Sequence, residues 1–298
     1  MTFMDFMKKF PTEKKIVEYY LTIRYFDGLQ CNHCGSGKVY LRKSNIKVAD
    51  CNDCGNTFSP FKGTIFEKSS TDLRKWFYAI HLFLNGKKGI SAMQLQRETG
   101  VTYKTAWRML QQIRIAMGNT ESQEFYNTIV EIDETYIGGK PRKGKDKDDE
   151  PPKRGRGTKK TPVVGVVDRN NKQVFVKVAL PNKKGQRLTA KQLIEILKTV
   201  SKQENGNIIM TDEFKGYDPL SRNKFVHLRI DHTKAFADGD IHTNSAESFW
   251  AILKRAVYGI YHHVSVKYLQ RYVDEFCFRW NNRKKNMFDL VLKQSVIG

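Results

Sequence analysis

The 298-residue chain has little of what secreted and membrane proteins depend on. Its five cysteines include two close pairs, Cys31/Cys34 and Cys51/Cys54, and leave Cys277 alone in FCFRW, where a buried structural thiol is expected. No apolar run approaches the roughly 18 residues that a bilayer requires. The opening MTFMDFMKKF lacks the apolar stretch and small-residue cleavage site of a secretory signal. A soluble, cytoplasmic protein is therefore expected. Acidic residues are also scarce: 31 Asp and Glu stand against 52 Lys and Arg, a net charge of +21. Such an excess favours a polyanionic partner, of which nucleic acid is the commonest. An anionic membrane surface is the weaker rival, because no basic amphipathic helix with an exposed apolar face stands out.

What is present begins with those cysteine pairs. CNHC and CNDC can supply four thiolates to one tetrahedral Zn²⁺. Between them, VYLRKSNIKVADC reads as two short strands around a polar turn at Lys43, Ser44 and Asn45. That is the pattern of a zinc ribbon, in which metal and strands replace a core too small to form alone. A helical pattern precedes it, with Ile16, Tyr19, Tyr20 and Ile23 at helical spacing.

From Thr71 the period is helical again, with Leu73, Trp76, Phe77, Ile80 and Leu84 on one stripe. ISAMQLQRETGVTYKTAWRMLQQIR then predicts a helix, a turn at Gly100 and a second helix from about Tyr103. Glycine in a short interhelical turn suits a helix-turn-helix. The second helix would present Thr102, Tyr103, Lys104 and Arg108 outward, as candidate DNA contacts. An ordinary helical hairpin is the alternative.

Past Gly118 the pattern becomes strand-like. TIVEIDETYI, PVVGVVD, KQVFVKVAL and NGNIIMTD predict four strands, with a helix carrying Leu193, Ile196, Leu197 and Val200 before the last of them. Strands paired in sequence and covered by helices imply a mixed α/β layer. The Gly-, Pro- and charge-rich stretch at about 138–160 is too polar to fold alone and is expected to be a basic insertion. The expected divisions are 1–62 (N-terminal helix and ribbon), 63–120 (helix-turn-helix) and 121–298 (α/β domain).

Asp133 and Asp212 close two of these apolar strands. Aspartate is poor in strands, so another role is expected there. Glu247 follows on a helix beginning near Ser245, two turns before Lys254 and on the same stripe. Carboxylates from separate elements can converge on Mg²⁺, which takes oxygen ligands. Glu131, Glu134 and Glu213 neighbour the aspartates, and spacing alone does not choose among them.

At CNHCG…CNDCGNTFSPFKGTIFE, VEIDETYIGGK, IIMTDEFKGY and HTNSAESFWAILKRAVYGIYHHVS with RWNNR, the chain resembles the DDE-type transposases of bacterial insertion sequences. It is most similar to the ISXO-like subgroup, with an N-terminal zinc ribbon and an additional Asn and Lys in its signature. The resemblance implies a ribonuclease-H-like domain that frees a 3′ hydroxyl at the transposon end and joins it to target DNA. It implies Asp133 and Asp212 as the first two carboxylates, with Asn244, Glu247 and Lys254 completing the signature. Whether Asn244 or Glu247 completes the Mg²⁺ or Mn²⁺ site stays open, with Glu247 the better ligand. Lys254 would meet a DNA phosphate. His262 and His263 are equally open between phosphate contact and structure; a metal role for His242 is weaker. The expected partner is double-stranded DNA, with a homodimer or higher assembly on it, in the nucleoid of a bacterial cytoplasm. The alternatives are a DNA-binding regulator that has lost catalysis and a stand-alone metal nuclease.

Overall fold

A computed structural model describes residues 1–119, 123–139, 160–181, 188–212, 214–222, 225–230 and 243–296. His242, Glu213 and nearly all of the expected insertion lie outside the described residues. The chain divides into two units, Met1–Thr120 with Lys284–Gly298, and Glu121–Arg283.

In the first unit, Thr2 and Asp5 form a capping box for α1 (Phe3–Lys9), and Thr12 caps α2 (Glu13–Arg24). Ile16, Val17 and Tyr20 bury the inner stripe of α2. The ribbon has three antiparallel strands where sequence predicts two: β1 (Val39–Leu41), β2 (Ala49–Cys51) and β3 (Thr57–Phe58). The third holds only two residues, too short for any period to register. Asp72 caps α3 (Leu73–Asn85), which buries Trp76, Phe77, Ile80 and Phe83. Ser91 and Thr102 cap α4 (Ala92–Thr99) and α5 (Tyr103–Gly118), and between them Gly100 takes the left-handed φ of +66° that ends α4. The expected helix, glycine turn and helix are all present.

The second unit is a five-stranded sheet with helices on both faces. Its strands are β4 (Ile129–Ile137), β5 (Thr161–Asp168), β6 (Gln173–Val178), β7 (Ile208–Thr211) and β8 (Val226–Arg229), in the order β6-β5-β4-β7-β8. The first three pair antiparallel, and β7 and β8 run parallel to β4. This is the expected mixed sheet, with β8 an edge strand that sequence reading misses. Between the strands lie α6 (Ala190–Lys198) and the short α7 (Pro219–Arg222); α8 (Asn244–Ala256) and α9 (Val266–Asn281) follow.

Strand period two sorts β4 between the faces. Val130 and Ile132 enter a core with Leu193 and Leu197 of α6 and with Ile209. Each such buried side chain contributes roughly 1.5–3 kcal/mol. Glu131 and Asp133 point the other way, towards α8. There Phe249, Trp250 and Leu253 of α8 pack with Val273 and Phe276 of α9 and with Val163, Val167, Val174 and Val176 of the sheet. Cys277, expected to be buried, is part-buried against this second core, and burial pushes its thiol well up.

The last helix, α10 (Met287–Lys293), corrects the expected boundary at 121–298, because residues 284–298 belong to the first unit. Phe288 stacks on Phe10 and meets Phe77 edge-on. Tyr19 donates to Asp289 at 2.6 Å, the Tyr20 and Ser295 hydroxyls lie 2.7 Å apart, and Ile65 N–H donates to the Ser295 carbonyl at 2.9 Å. A bridge pairs Thr64 with Val296. Amphipathic spacing predicts such a helix but not which core its apolar face will enter.

Candidate active site and metal centre

The β4–β7 ladder pairs Ile129 with Ile208, Val130 with Ile209 and Glu131 with Met210. Continued two residues beyond these pairs, the same register sets Asp133 beside Asp212, which directly follows the last residue of β7. Asp133 does not close its strand as expected: it lies in the middle of β4, because residues 134–137 stay paired with β5. The hydroxyl of Thr211, the last residue of β7, donates to the Asp212 carbonyl at 2.8 Å and lies 2.8 Å from His227 Nε2 on β8. The Asp212 carboxylate accepts the N–H of Phe214 at 3.0 Å, which fixes the turn leaving the strand.

Trp250 of α8 donates its indole N–H to Asp133 Oδ2 at 2.9 Å. Glu134 N–H donates to Oδ1 at 2.8 Å. Burial pushes Asp133 up to about 7, and the negative charges of Glu134 and Asp212 push the same way, against these two hydrogen bonds. Glu134 itself faces the opposite side of β4, where its carboxylate accepts the hydroxyl of fully buried Tyr217 at 2.7 Å.

Glu131 is the residue that sequence reasoning leaves undistinguished among its acidic neighbours. Its side chain is fully buried. One carboxylate oxygen accepts Arg169 Nε at 2.8 Å; the other accepts the backbone N–H groups of Ser245 and Ala246 at 2.9 and 3.1 Å. Arg169 also reaches Met210 Sδ, at 3.2 Å.

Asn244 and Glu247 are exposed on the first turn of α8, and Lys254 is part-buried two turns on. Asp133 and Asp212 lie near enough for their charges to interact, and Trp250 seats α8 beside Asp133. The structure does not bring Glu247 into one cluster with both aspartates: among the described residues, the group of ligand atoms all within 4.8 Å of one another is the four-cysteine one. Beyond α8, a π-helical turn (Val257–Tyr261) leads to His262, whose φ is +58°. His262 and His263 are both exposed.

In the ribbon, Cys31, Cys34, Cys51 and Cys54 point their sulfurs at one another, as the two pairs predict. Cys31 Sγ lies 3.7 Å from Cys54 Sγ, and Cys34 Sγ 3.6 Å from Cys51 Sγ. Backbone N–H groups of Cys34 and His33 help bring Cys31 down to about 6, favouring the thiolate that binds metal. An all-sulfur tetrad of this size fits Zn²⁺. On α5 and its cap, Thr102, Tyr103, Lys104 and Arg108 are all exposed, while Ala106, Met109 and Leu110 are buried.

Residues 126–281 match the ISXO2-like transposase domain. The chain is 30% identical over 263 residues to an uncharacterized protein in transposable element ISH50 of Halobacterium salinarum, covering 84% of each. It is 32% identical over 92 residues to an uncharacterized transposase-like protein of Haemophilus influenzae, covering 31% of this chain and 74% of that one. Among solved structures it is similar to a pre-cleavage Mos1 transpososome, with a TM-score of 0.32 and 13% identity over 74% of this chain and 79% of that one. No helix among the described residues is long and apolar enough to cross a membrane.

Proposed function

The chain belongs to the ISXO2-like transposase family, and from that premise we propose that it binds the ends of an insertion sequence, cuts to free a 3′ hydroxyl and joins that hydroxyl to target DNA. The observation that carries this reading is Asp133, on β4, whose charge interacts with that of Asp212 at the end of the adjacent parallel strand β7, beside the helix that bears Asn244, Glu247 and Lys254.

The donors at this site are carboxylate oxygens, a set that suits Mg²⁺ or Mn²⁺ and not a soft metal. Asp133 and Asp212 would hold such ions, with Glu247 or Asn244 from the first turn of α8 completing the set; when bound, the ions would supply charge stabilisation to the attacking and leaving oxygens of a phosphodiester. The remaining work falls to the protein. Trp250 fixes the Asp133 carboxylate through the oxygen it bonds. Thr211 and the N–H of Phe214 fix the turn at Asp212. Asn244 orients a ligand, water or phosphate, and Lys254 receives a DNA phosphate as a point charge. No covalent protein intermediate is needed, since positioned oxygens and charge suffice for phosphoryl transfer.

End recognition falls to the first unit. Thr102, Tyr103, Lys104 and Arg108 would meet base edges in a major groove, with the ribbon and surrounding lysines and arginines on the phosphates. Joining two ends calls for a homodimer or higher assembly on DNA.

The test is a supercoiled-plasmid assay carrying the element's ends, in Mg²⁺ and in Mn²⁺. Wild type should give cleaved and strand-transferred products. Asp133→Ala and Asp212→Ala should give neither, while still binding the ends. End-binding by wild type without metal-dependent cleavage would mark a DNA-binding regulator instead, and cleavage without strand transfer a stand-alone nuclease.

A further inference from the structure

Helix α8 carries three of the five proposed catalytic residues, yet it begins without a local cap. Its N-cap residue, Thr243, sits at φ −121° and ψ 24° and makes no side-chain hydrogen bond to the helix. Helix N-termini need such a bond, because their first N–H groups have no partner within the helix. A capping side chain normally bonds the second and third helical residues. Those residues here are Ser245 and Ala246, the two whose N–H groups reach Glu131.

We infer that Glu131 is the N-cap of α8, supplied from the neighbouring strand, and that it serves as a positioning residue for the catalytic site. The observations fit this role closely. The carboxylate is fully buried, and its charge is met on one oxygen by Arg169 and on the other by the positive end of the helix. The same Arg169 reaches Met210 on β7, two residues before Asp212. Glu131 itself is two residues before Asp133 on β4. One ion pair thus connects the strand that carries Asp133 and the strand that leads into Asp212 to the first turn that displays Asn244 and Glu247. A side chain on α8 itself could cap the helix but could not tie its first turn to β4 and β7. Glu131 touches neither metal nor DNA in this scheme; it acts through α8. The positioning role rests on the catalytic reading above, whereas the cap does not.

Hydrogen–deuterium exchange and metal binding test both together. In the full-length wild type, a peptide spanning 243–250 should exchange slowly in its first turn. Glu131→Ala should speed exchange there at least tenfold and weaken Mn²⁺ binding at least fivefold, as followed by the paramagnetic resonance of free Mn²⁺. End binding without divalent metal should stay within twofold. Glu131→Gln keeps one acceptor oxygen but cannot serve Arg169 and the helix equally, so it should lie between the two in both readouts. A merely structural role would lower the melting temperature of Glu131→Ala without moving exchange at 243–250 or Mn²⁺ affinity in the folded protein; that result overturns the inference. If Glu131→Ala does not fold, a Glu131→Gln protein equal to wild type in both readouts overturns it. A wild type that protects these amides but never cuts DNA supports the cap while removing the transposase reading.

Discussion

Asp133 and Gly165 face each other across the β4–β5 ladder, and the space that Gly165 leaves bare is filled by the indole of Trp250. A Cβ at position 165 would lie 2.7 and 2.8 Å from two ring carbons of that indole. The glycine is therefore what lets the ring lie against the sheet with its N–H on Asp133. Gly165→Ala should displace the ring, at a cost of about 1–3 kcal/mol from overpacking. Thermal melting should show the loss, and strand transfer should fall at least tenfold. A variant that melts and reacts like wild type would mean the ring's place is not set by this contact.

Asp133 makes a prediction about pH. A carboxyl pushed up to about 7 binds its proton more tightly in the folded chain than in the unfolded one, where about 3.9 is ordinary. In Mg²⁺-free buffer, this group therefore weakens the fold fully above pH 7, less so as pH falls, and not at all below about 4. Asp133→Asn removes the charge and keeps an acceptor for Trp250. It should be more stable than wild type at pH 8, by roughly 1–2 kcal/mol after allowance for partial exposure. The gap should narrow by pH 5. Omitting Mg²⁺ is preferable to adding a chelator, which would attack the ribbon. A gap constant across this range would show that the charge is not the cause.

The ribbon should hold about one zinc per chain. Cys31→Ser should release it and lower the melting transition of the first unit, with zinc measured by atomic absorption on the dialysed protein. Retention of stoichiometric zinc in that variant would remove Cys31 from the ligand set.

Arg108 and Lys104 on α5 should separate base reading from phosphate binding. If Lys104 meets a phosphate, Lys104→Ala should lower the slope of log affinity against log salt by about 0.9, for specific and random DNA alike. Arg108→Ala, if Arg108 reads a base edge, should cost about 1–3 kcal/mol on the end sequence and little on random DNA. Titrations at several salt concentrations distinguish the two, and equal losses on both DNAs for Arg108→Ala would make it a phosphate contact.

Much of this was legible along the chain because it is local. Two cysteine pairs at close spacing specify a cluster, and an aspartate in or just after a Val- and Ile-rich strand advertises itself by violating strand preference, although the strand end read at Asp133 is wrong: β4 runs on to Ile137. The exposed positions of α5 follow from helical period and a glycine turn. What was not legible depends on partners far away in sequence. Glu131 finds Arg169 38 residues on and Ser245 114 residues on, and nothing near it distinguishes it from Glu134. β8 has four residues, mostly exposed, so neither length nor burial gives it a pattern. The apolar face of α10 is plain, but amphipathicity does not name the core it joins.

That last placement bears on how the protein is made. Thr64 and its bridge partner Val296 are separated by the whole second unit. A ribosome adding about 5–20 residues per second needs roughly 10–50 s to travel between them. For that interval the four-cysteine unit waits with the seat for Phe288 open between Phe10 and Phe77, while the sheet and its helices can already form. Translation that stops short of residue 284 yields a chain with an α/β unit and a first unit that lacks α10.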